Sequence, residues 1–337
     1  MKKEIFKNWG LGSFILFLTI VLLTACGTPN EEEGQANNTN TNENANEQVD
    51  NDQTEDTADQ SQFPVTIVDD AGREVTIEEE PESIISIQAS ITEISFALGL
   101  GDKIVGVSDF CNYPEEAQSV ENVGGQDMNV ELILSILPDI VLVTDYHHNN
   151  HGEILSQFEE VGIKVVVIGS KSNFNEVYES IALIGQTTGT SNEAEAIISD
   201  MKERHEVLIE KAEEITDKKR VWVEVSPAPD IFTTGKGTFM HEMLESIQAT
   251  NAAEDHEGWV MLSEEEIVQL QPDVIITTYH TEDLQGEVSS RDGWTEVPAV
   301  KNGQIFDVES DIVVRPGPRL IEGVETLAKL IYPEVFK

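Results

Sequence analysis

The sequence predicts an α/β protein of two similar lobes, each with a parallel sheet, joined by one long α-helix. Three observations carry that prediction. Short β-like apolar runs alternate with longer helical ones along most of the chain, the β-α-β pattern of a parallel sheet. One segment is written twice, as "VELILSILPDIVLVT" from Val130 to Thr144 and as "EEEIVQLQPDVIITT" from Glu264 to Thr278. Its acid, Pro and Asp recur at a constant offset, pairing Glu131 with Glu265, Pro138 with Pro272 and Asp139 with Asp273. Between the two copies lies a stretch free of Gly and Pro, from Ser191 to Lys219, whose apolar residues keep near-helical spacing.

The first lobe is expected over 63–190. Its strands fall at Ile84–Ile87, Ile104–Val107, Ile140–Val143 and Val165–Ile168, and helices at Ile91–Leu98, Val130–Leu137 and Gly152–Val161. The connecting helix takes 191–219, with Ser191 as its N-cap and Ala194, Ile197, Ile198, Met201 and Leu208 along its apolar face. The second lobe, 220–337, repeats the alternation. "RVWVEV" opens it; helices follow at Phe239–Ile247 and Glu264–Leu270, then strands at Val274–Thr277 and Ile305–Val308, and a last helix after "RPGPR". Asn129 and Ser263 are the N-caps of the repeated helix, and Ser263 with Glu266 has capping-box spacing. Glu131 and Glu265 then sit in a first helical turn, where an acid complements the helix dipole. Pro138 and Pro272 end the helices, and the apolar runs beyond them read as buried strands.

Ahead of the lobes the chain changes character. Lys2, Lys3 and Lys7 precede a mostly apolar run from Leu11 to Ala25 that ends in "LLTAC". The run is short for a membrane span and fits a secretory signal over 1–25. "LTAC" resembles the lipobox of bacterial lipoproteins, which implies that Cys26 carries lipid. Residues 26–62 hold no aromatic residue, Lys or Arg, and read as an acidic, Asn-rich disordered tether. A lipidated Cys26 leaves Cys111 without a partner for an intrachain disulfide, so Cys111 is expected as a small buried residue. The 337 residues carry a net charge of −44, which excludes a phosphate backbone as partner.

Enzyme motifs fail on inspection. "TTGKGT" (Thr233–Thr238) lacks the first Gly and the Ser or Thr of a phosphate loop. "HEMLE" (His241–Glu245) lacks the second His of a zinc protease, and no G-x-S-x-G elbow occurs. No catalytic residue and no cofactor are expected. Histidines cluster in "YHHNNH", Tyr146 to His151, just past one expected strand; Tyr279–His280 stands just past its counterpart. Ligands of open α/β sheets sit beyond the carboxyl ends of the strands, so each Tyr-His pair falls at a cleft position. The alternative is a solvated polar loop. Metal contact by His147, His148, His151 or His280 is left open.

A family resemblance rests on an ordered set of motifs. "PESIISIQASITEISFALGLGDKIVGVSDFCNYPEEA", "MNVELILSILPDIVLVT", "FTTGKGTFMHEMLE" and "VPAVKNGQIFDVESDIVVRPGPRLIEGVETLAKLIYP" together resemble the substrate-binding proteins of ABC importers for ferric siderophores and cobalamin, over about Val65 to Pro333. The resemblance implies two Rossmann-like lobes joined by a long helix, with ligand held between them. It implies a lipid-tethered receptor on the extracytoplasmic face of the cell membrane, delivering a metal chelate to a permease dimer and its ATPase. Glu131 and Glu265 match the acids that dock on the permease. Ser90, Tyr113, Tyr146, Trp259, Tyr279 and Arg315 match ligand-facing positions, and His280 stands where haem-binding relatives place a His, although their Met has no clean match in Met128. Trp259 favours a corrinoid. The alternatives are a ferric siderophore, haem, free Zn or Mn, and a surface lipoprotein with no transport role.

Overall fold

The structure, a computed structural model, describes residues 63–337; the signal, Cys26 and the tether lie outside the described residues. A hairpin of β1 (Val65–Val68) and β2 (Glu74–Ile77) opens it. The first lobe follows as β3 (Ile84–Ser86), α1 (Ala89–Ala97), β4 (Ile104–Val107), α2 (Val130–Ile136), β5 (Ile140–Thr144), α3 (Asp145–Asn150), α4 (Gly152–Glu160), β6 (Lys164–Ile168) and α5 (Phe174–Thr188). Helix α6 (Ser191–Ala212) connects the lobes. The second lobe runs β7 (Arg220–Glu224), β8 (Phe232–Thr234), α7 (Phe239–Ser246), β9 (Thr250–Asn251), β10 (Trp259–Met261), α8 (Glu264–Leu270), β11 (Val274–Thr277), α9 (Leu284–Ser289), α10 (Pro298–Lys301), β12 (Ile305–Asp307), α11 (Ser310–Val314) and α12 (Leu320–Ile331).

The two main sheets have the same topology. The first is ordered β4-β3-β5-β6 and the second β9-β7-β11-β12, with every neighbour parallel. Strands buried on both faces must be apolar on both. Ile84, Ile140 and Leu142 face one core, which continues without a break into Val221, Val223 and Ile276 of the second sheet. Ile85, Val141 and Val143 face an outer core under α2 and α4, and Trp222, Ile275 and Ile305 face its counterpart. Residues of α6 and α12 belong to the shared core, so the lobes are welded rather than strung together.

The repeated segment is one structural unit used twice. The Asn129 side chain accepts from the Leu132 amide at the start of α2; Ser263 and Glu266 form the full capping box on α8. Both helices end on a left-handed residue, Leu137 (φ 53) and Gln271 (φ 47), just before the proline. The Asp after each proline ties its strand to the sheet's first strand. Asp139 Oδ2 accepts from the amides of Glu82 and Ser83 at 2.9 Å, and Asp273 Oδ2 accepts from the Arg220 amide at 2.9 Å.

The connector differs from its expected form at both ends. Helix α6 stops at Ala212, and the chain to Lys219 turns back to enter β7. At 1.5 Å per residue its 22 residues span about 33 Å. Thr190 is its N-cap, without a side-chain bond, and Ser191 is the first helical residue. The Thr190 hydroxyl is bonded to Thr188 instead, at 2.9 Å. The corner from α5 to α6 is tight: a Cβ on Gly185 would stand 2.7 Å from that of Ala194.

A polar tether crosses from lobe to lobe. Glu93, buried on α1, accepts from the Arg319 guanidinium at 2.9 Å and lies 3.5 Å from that of Arg315. Asn112 donates to Asp311 at 2.9 Å and accepts from Arg315 at 2.7 Å. Gly317 lets the "RPGPR" segment approach; a Cβ there would meet Glu93 Oε1 at 2.9 Å.

Candidate functional site

In each sheet the strand order reverses beside its first strand, and the carboxyl ends flanking that reversal are the expected ligand crevice. In the first lobe these are the ends of β3 and β5. They deliver Gln88 and Ser90 from one strand, and Thr144 and Tyr146 from the other, into an inter-lobe cleft of two joined chambers. One chamber, of about 370 Å³, is closed on the second-lobe side by Phe239 and by Trp259 of the antiparallel β8–β10 pair. The other, of about 420 Å³, holds Phe110, Tyr146 and Arg315. Gln88, Ser90, Ser170, Val314 and Pro316 line both. Four of the expected ligand residues, Ser90, Tyr146, Trp259 and Arg315, therefore meet in one cleft. Trp259 is 58% exposed and Tyr146 40%, with Phe110, a residue the sequence reading missed, at 70%.

The cleft's cations are already matched. Lys171 Nζ stands 2.7 Å from Asp70, and Arg315 contacts Asp311 at 2.7 Å besides Glu93 and Asn112. Buried His147 faces the Thr144 hydroxyl through Nδ1 at 2.8 Å and the Gly125 carbonyl through Nε2 at 3.0 Å. Burial lowers its pKa from the usual imidazole value, with the nearby His151 acting the same way and the Gly125 bond and Asp145 opposing. The "YHHNNH" stretch is thus a helix held by His147, where an open loop was the alternative reading.

Three expected ligand residues lie elsewhere. Tyr113 lines a separate groove of about 940 Å³ beside α6, with the Arg319 guanidinium stacked 3.6 Å over its ring. Tyr279 turns inward: its hydroxyl donates to Glu224, which also accepts two bonds from Arg291, at 2.7 and 2.9 Å. Burial and then the Glu224 carboxylate push the Tyr279 pKa up; burial opposes the Arg291 charge, but Glu224 holds its pKa above the ordinary guanidinium value. His280 is exposed and bonded to Asp307 at 2.8 Å.

The rejected motifs have structural roles. A Cβ on Gly235 would stand 2.2 Å from the His256 carbonyl oxygen, so the "TTGKGT" glycine marks a close backbone crossing. His241 of "HEMLE" faces Glu245 at 3.4 Å. Cys111 is buried against the hydroxyls of Thr92 and Ser108. Among the described residues no group of three or more His, Cys, Asp and Glu is placed to hold a metal ion. Glu131 and Glu265 are exposed in matching first turns.

Residues 84–312 match the family model described as periplasmic binding protein. The chain belongs to that family. This periplasmic binding protein is 43% identical, over 96% of both chains, to the uncharacterized ABC transporter substrate-binding lipoprotein YvrC of Bacillus subtilis (strain 168). It is 28% identical to the cobalamin-binding protein of Halobacterium salinarum, over 80% of this chain and 74% of that one. Its fold matches the crystal structure of a possible iron-binding, periplasmic solute-binding protein from Staphylococcus epidermidis ATCC 12228, with TM-score 0.68 and 34% identity, covering 75% of this chain and all of that one. It is accordingly an ABC transporter substrate-binding protein of the cobalamin, siderophore and haem group.

Proposed function

We propose that the protein captures a metal chelate, in the first place a corrinoid, and presents it to a membrane permease dimer with its ATPase. The observation that carries the ligand class is the convergence of Phe110, Tyr146 and Trp259 on a cleft lined otherwise by hydroxyl, amide and aliphatic groups together with the paired Lys171 and Arg315. Aromatic faces with a few polar groups suit a large conjugated ring. The pairing of Lys171 and Arg315 with carboxylates favours an uncharged ligand rim over a polyanionic ferric siderophore, because an anion would have to displace Asp70, or Glu93 and Asp311. The resemblance to a protein named cobalamin-binding supports the same choice.

Docking is assigned to Glu131 and Glu265, one exposed acid on each lobe. The shared core and α6 fix their spacing, so two weak contacts act as one bivalent grip. The lipoprotein relative and the "LTAC" motif support anchoring through Cys26 at the extracytoplasmic face. Among the described residues no helix is long and apolar enough to cross a membrane.

Calorimetry with cyanocobalamin, ferric siderophores, haemin and Zn²⁺ tests the ligand. Tight cyanocobalamin binding is expected, and tight binding of Zn²⁺ alone would sink the chelate reading. Glu131→Ala with Glu265→Ala is expected to abolish uptake while Kd stays within about threefold, under roughly 1.4 kcal/mol. Normal uptake by that double variant would reduce both acids to helix-dipole partners.

A further inference from the structure

We infer that His147 is a positioning residue, a neutral strap that holds the two aromatic platforms of the first-lobe cleft wall together and lets go in acid. The inference rests on the cleft being the ligand site.

The imidazole bridges two segments that are distant in sequence and adjacent in the chamber. Nδ1 meets the Thr144 hydroxyl at 2.8 Å and stands 3.3 Å from the Thr144 amide, at the end of β5. Nε2 stands 3.0 Å from the Gly125 carbonyl oxygen. A carbonyl only accepts and an amide only donates, so the proton is on Nε2 and Nδ1 is the acceptor. One bonded segment carries an aromatic platform and the other lies beneath one. Tyr146 follows Thr144, and its ring meets the His147 ring edge-on at 5.6 Å between centroids. Gly125 lies under Phe110; a Cβ at Gly125 would stand 3.4 Å from that ring. One side chain, 2% exposed, therefore ties the segment that carries Tyr146 to the backbone beneath Phe110.

Protonation breaks this arrangement. An Nδ1–H would point at the Thr144 N–H, donor against donor, and charge would enter a buried site. The charged and titratable groups around it are Asp145 and Tyr146 on its own helix, His151 with its ring 6.0 Å away, Asp109 beside Gly125, and Arg315 across the chamber. Asp145 favours the charged form, and burial outweighs it. A folded pKa below the ordinary value means that the strapped state binds fewer protons than the loosened one. Its stability is complete above the ordinary imidazole pKa of about 6.5 and is lost as pH falls below it, by up to about tenfold per pH unit until the folded pKa is passed.

Amide hydrogen exchange on the ligand-free protein tests the strap apart from the ligand assignment. Between pH 7.5 and 5.5, exchange in 122–129 and 144–151, corrected for intrinsic rates, should rise in the wild type, by at most about tenfold. In His147→Gln, a neutral side chain that can still donate to the Gly125 carbonyl, the rise should vanish. Cyanocobalamin affinity should fall over the same interval in the wild type, in proportion to the fraction of molecules whose strap has opened, and stay flat in His147→Gln. An equal pH response in both proteins, or none in either, would overturn the inference. Failure of cyanocobalamin to bind at any pH sinks the corrinoid reading, and exchange then decides the strap. Should His147→Gln not fold, imidazole nitrogen NMR of the wild type decides: a free His titration without any change at the Gly125 amide overturns the proposal.

Discussion

At the reversal point of the first sheet, the ends of β3 and β5 open into the cleft with Gln88, Thr144 and Tyr146 on its wall. At the same point of the second sheet, the ends of β7 and β11 are plugged. Glu224 and Tyr279 stand where a crevice is expected, and Arg291 closes over them, with its guanidinium 4.7 Å from the Trp294 ring centre. The two sheets share strand order and the Pro-Asp tie, yet one end is open to the cleft and the other is filled. The second lobe instead lines the cleft through the antiparallel β8–β10 pair, which carries Trp259. A duplicated scaffold thus keeps its folding chemistry in both copies, while the strand ends, which the scaffold does not constrain, diverge.

The largest way to break this comparison is to unplug the second sheet. Glu224 is fully buried and is the carboxylate that receives both Arg291 bonds. Glu224→Ala leaves the buried Arg291 guanidinium with only the half-exposed Glu287 carboxylate, 4.0 Å away, and should lower stability by about 3 kcal/mol in urea unfolding. Gln88→Ala at the open end of β3 should stay within about 0.5 kcal/mol. A loss below 1 kcal/mol for Glu224→Ala would mean that the plug carries no structural role.

A sharper test separates the two tyrosines. Tyr279→Phe removes a bond to a buried carboxylate and should lower stability by about 1.5–3 kcal/mol, with cyanocobalamin affinity unchanged. Tyr146→Ala should do the reverse, weakening cyanocobalamin by about 1–2 kcal/mol, roughly five- to thirtyfold in Kd, with a small effect on stability. Equal effects of the two substitutions on affinity would show that both reversal points bind ligand.

The sequence made the scaffold legible because periodicity and capping are local. The repeated segment announced α2–β5 and α8–β11, down to the Ser263–Glu266 capping box. The end of α6 was illegible: 213–219 has no Gly or Pro, and the turn is imposed by the need to enter β7. Tyr113, expected at the cleft, lines a separate groove, and Phe110 lines the cleft. The two sit three positions apart in an irregular segment, which has no period to say which side chain points inward. Tyr279, expected at the cleft, turns inward for a different reason. Its direction depends on Glu224 and Arg291, remote partners that no local pattern reveals.

The smallest expected effect compares the caps of the repeated helices. Asn129 holds α2 by one bond, 3.1 Å from its Oδ1 to the Leu132 amide. On α8 the bonds are reciprocal: Ser263 Oγ accepts from the Glu266 amide, and Glu266 accepts from the Ser263 amide at 2.9 Å and from its hydroxyl at 2.8 Å. Asn129→Ala and Ser263→Ala should each lower stability by about 1 kcal/mol at neutral pH. Acid should tell the copies apart. Those bonds from Ser263 lower the Glu266 pKa from the ordinary carboxylate value. A depressed carboxylate stabilises the folded state above its unfolded pKa, and that contribution disappears as pH falls through the folded value. Asn129 does not titrate. Hydrogen exchange at the first turn of α8 should therefore rise between pH 6 and pH 3 relative to α2, and Glu266→Gln should remove the difference, because Gln accepts the same bonds without titrating. An α2 first turn that loosens as much as α8 over that range would show that acid acts on the whole molecule, leaving the two caps energetically alike.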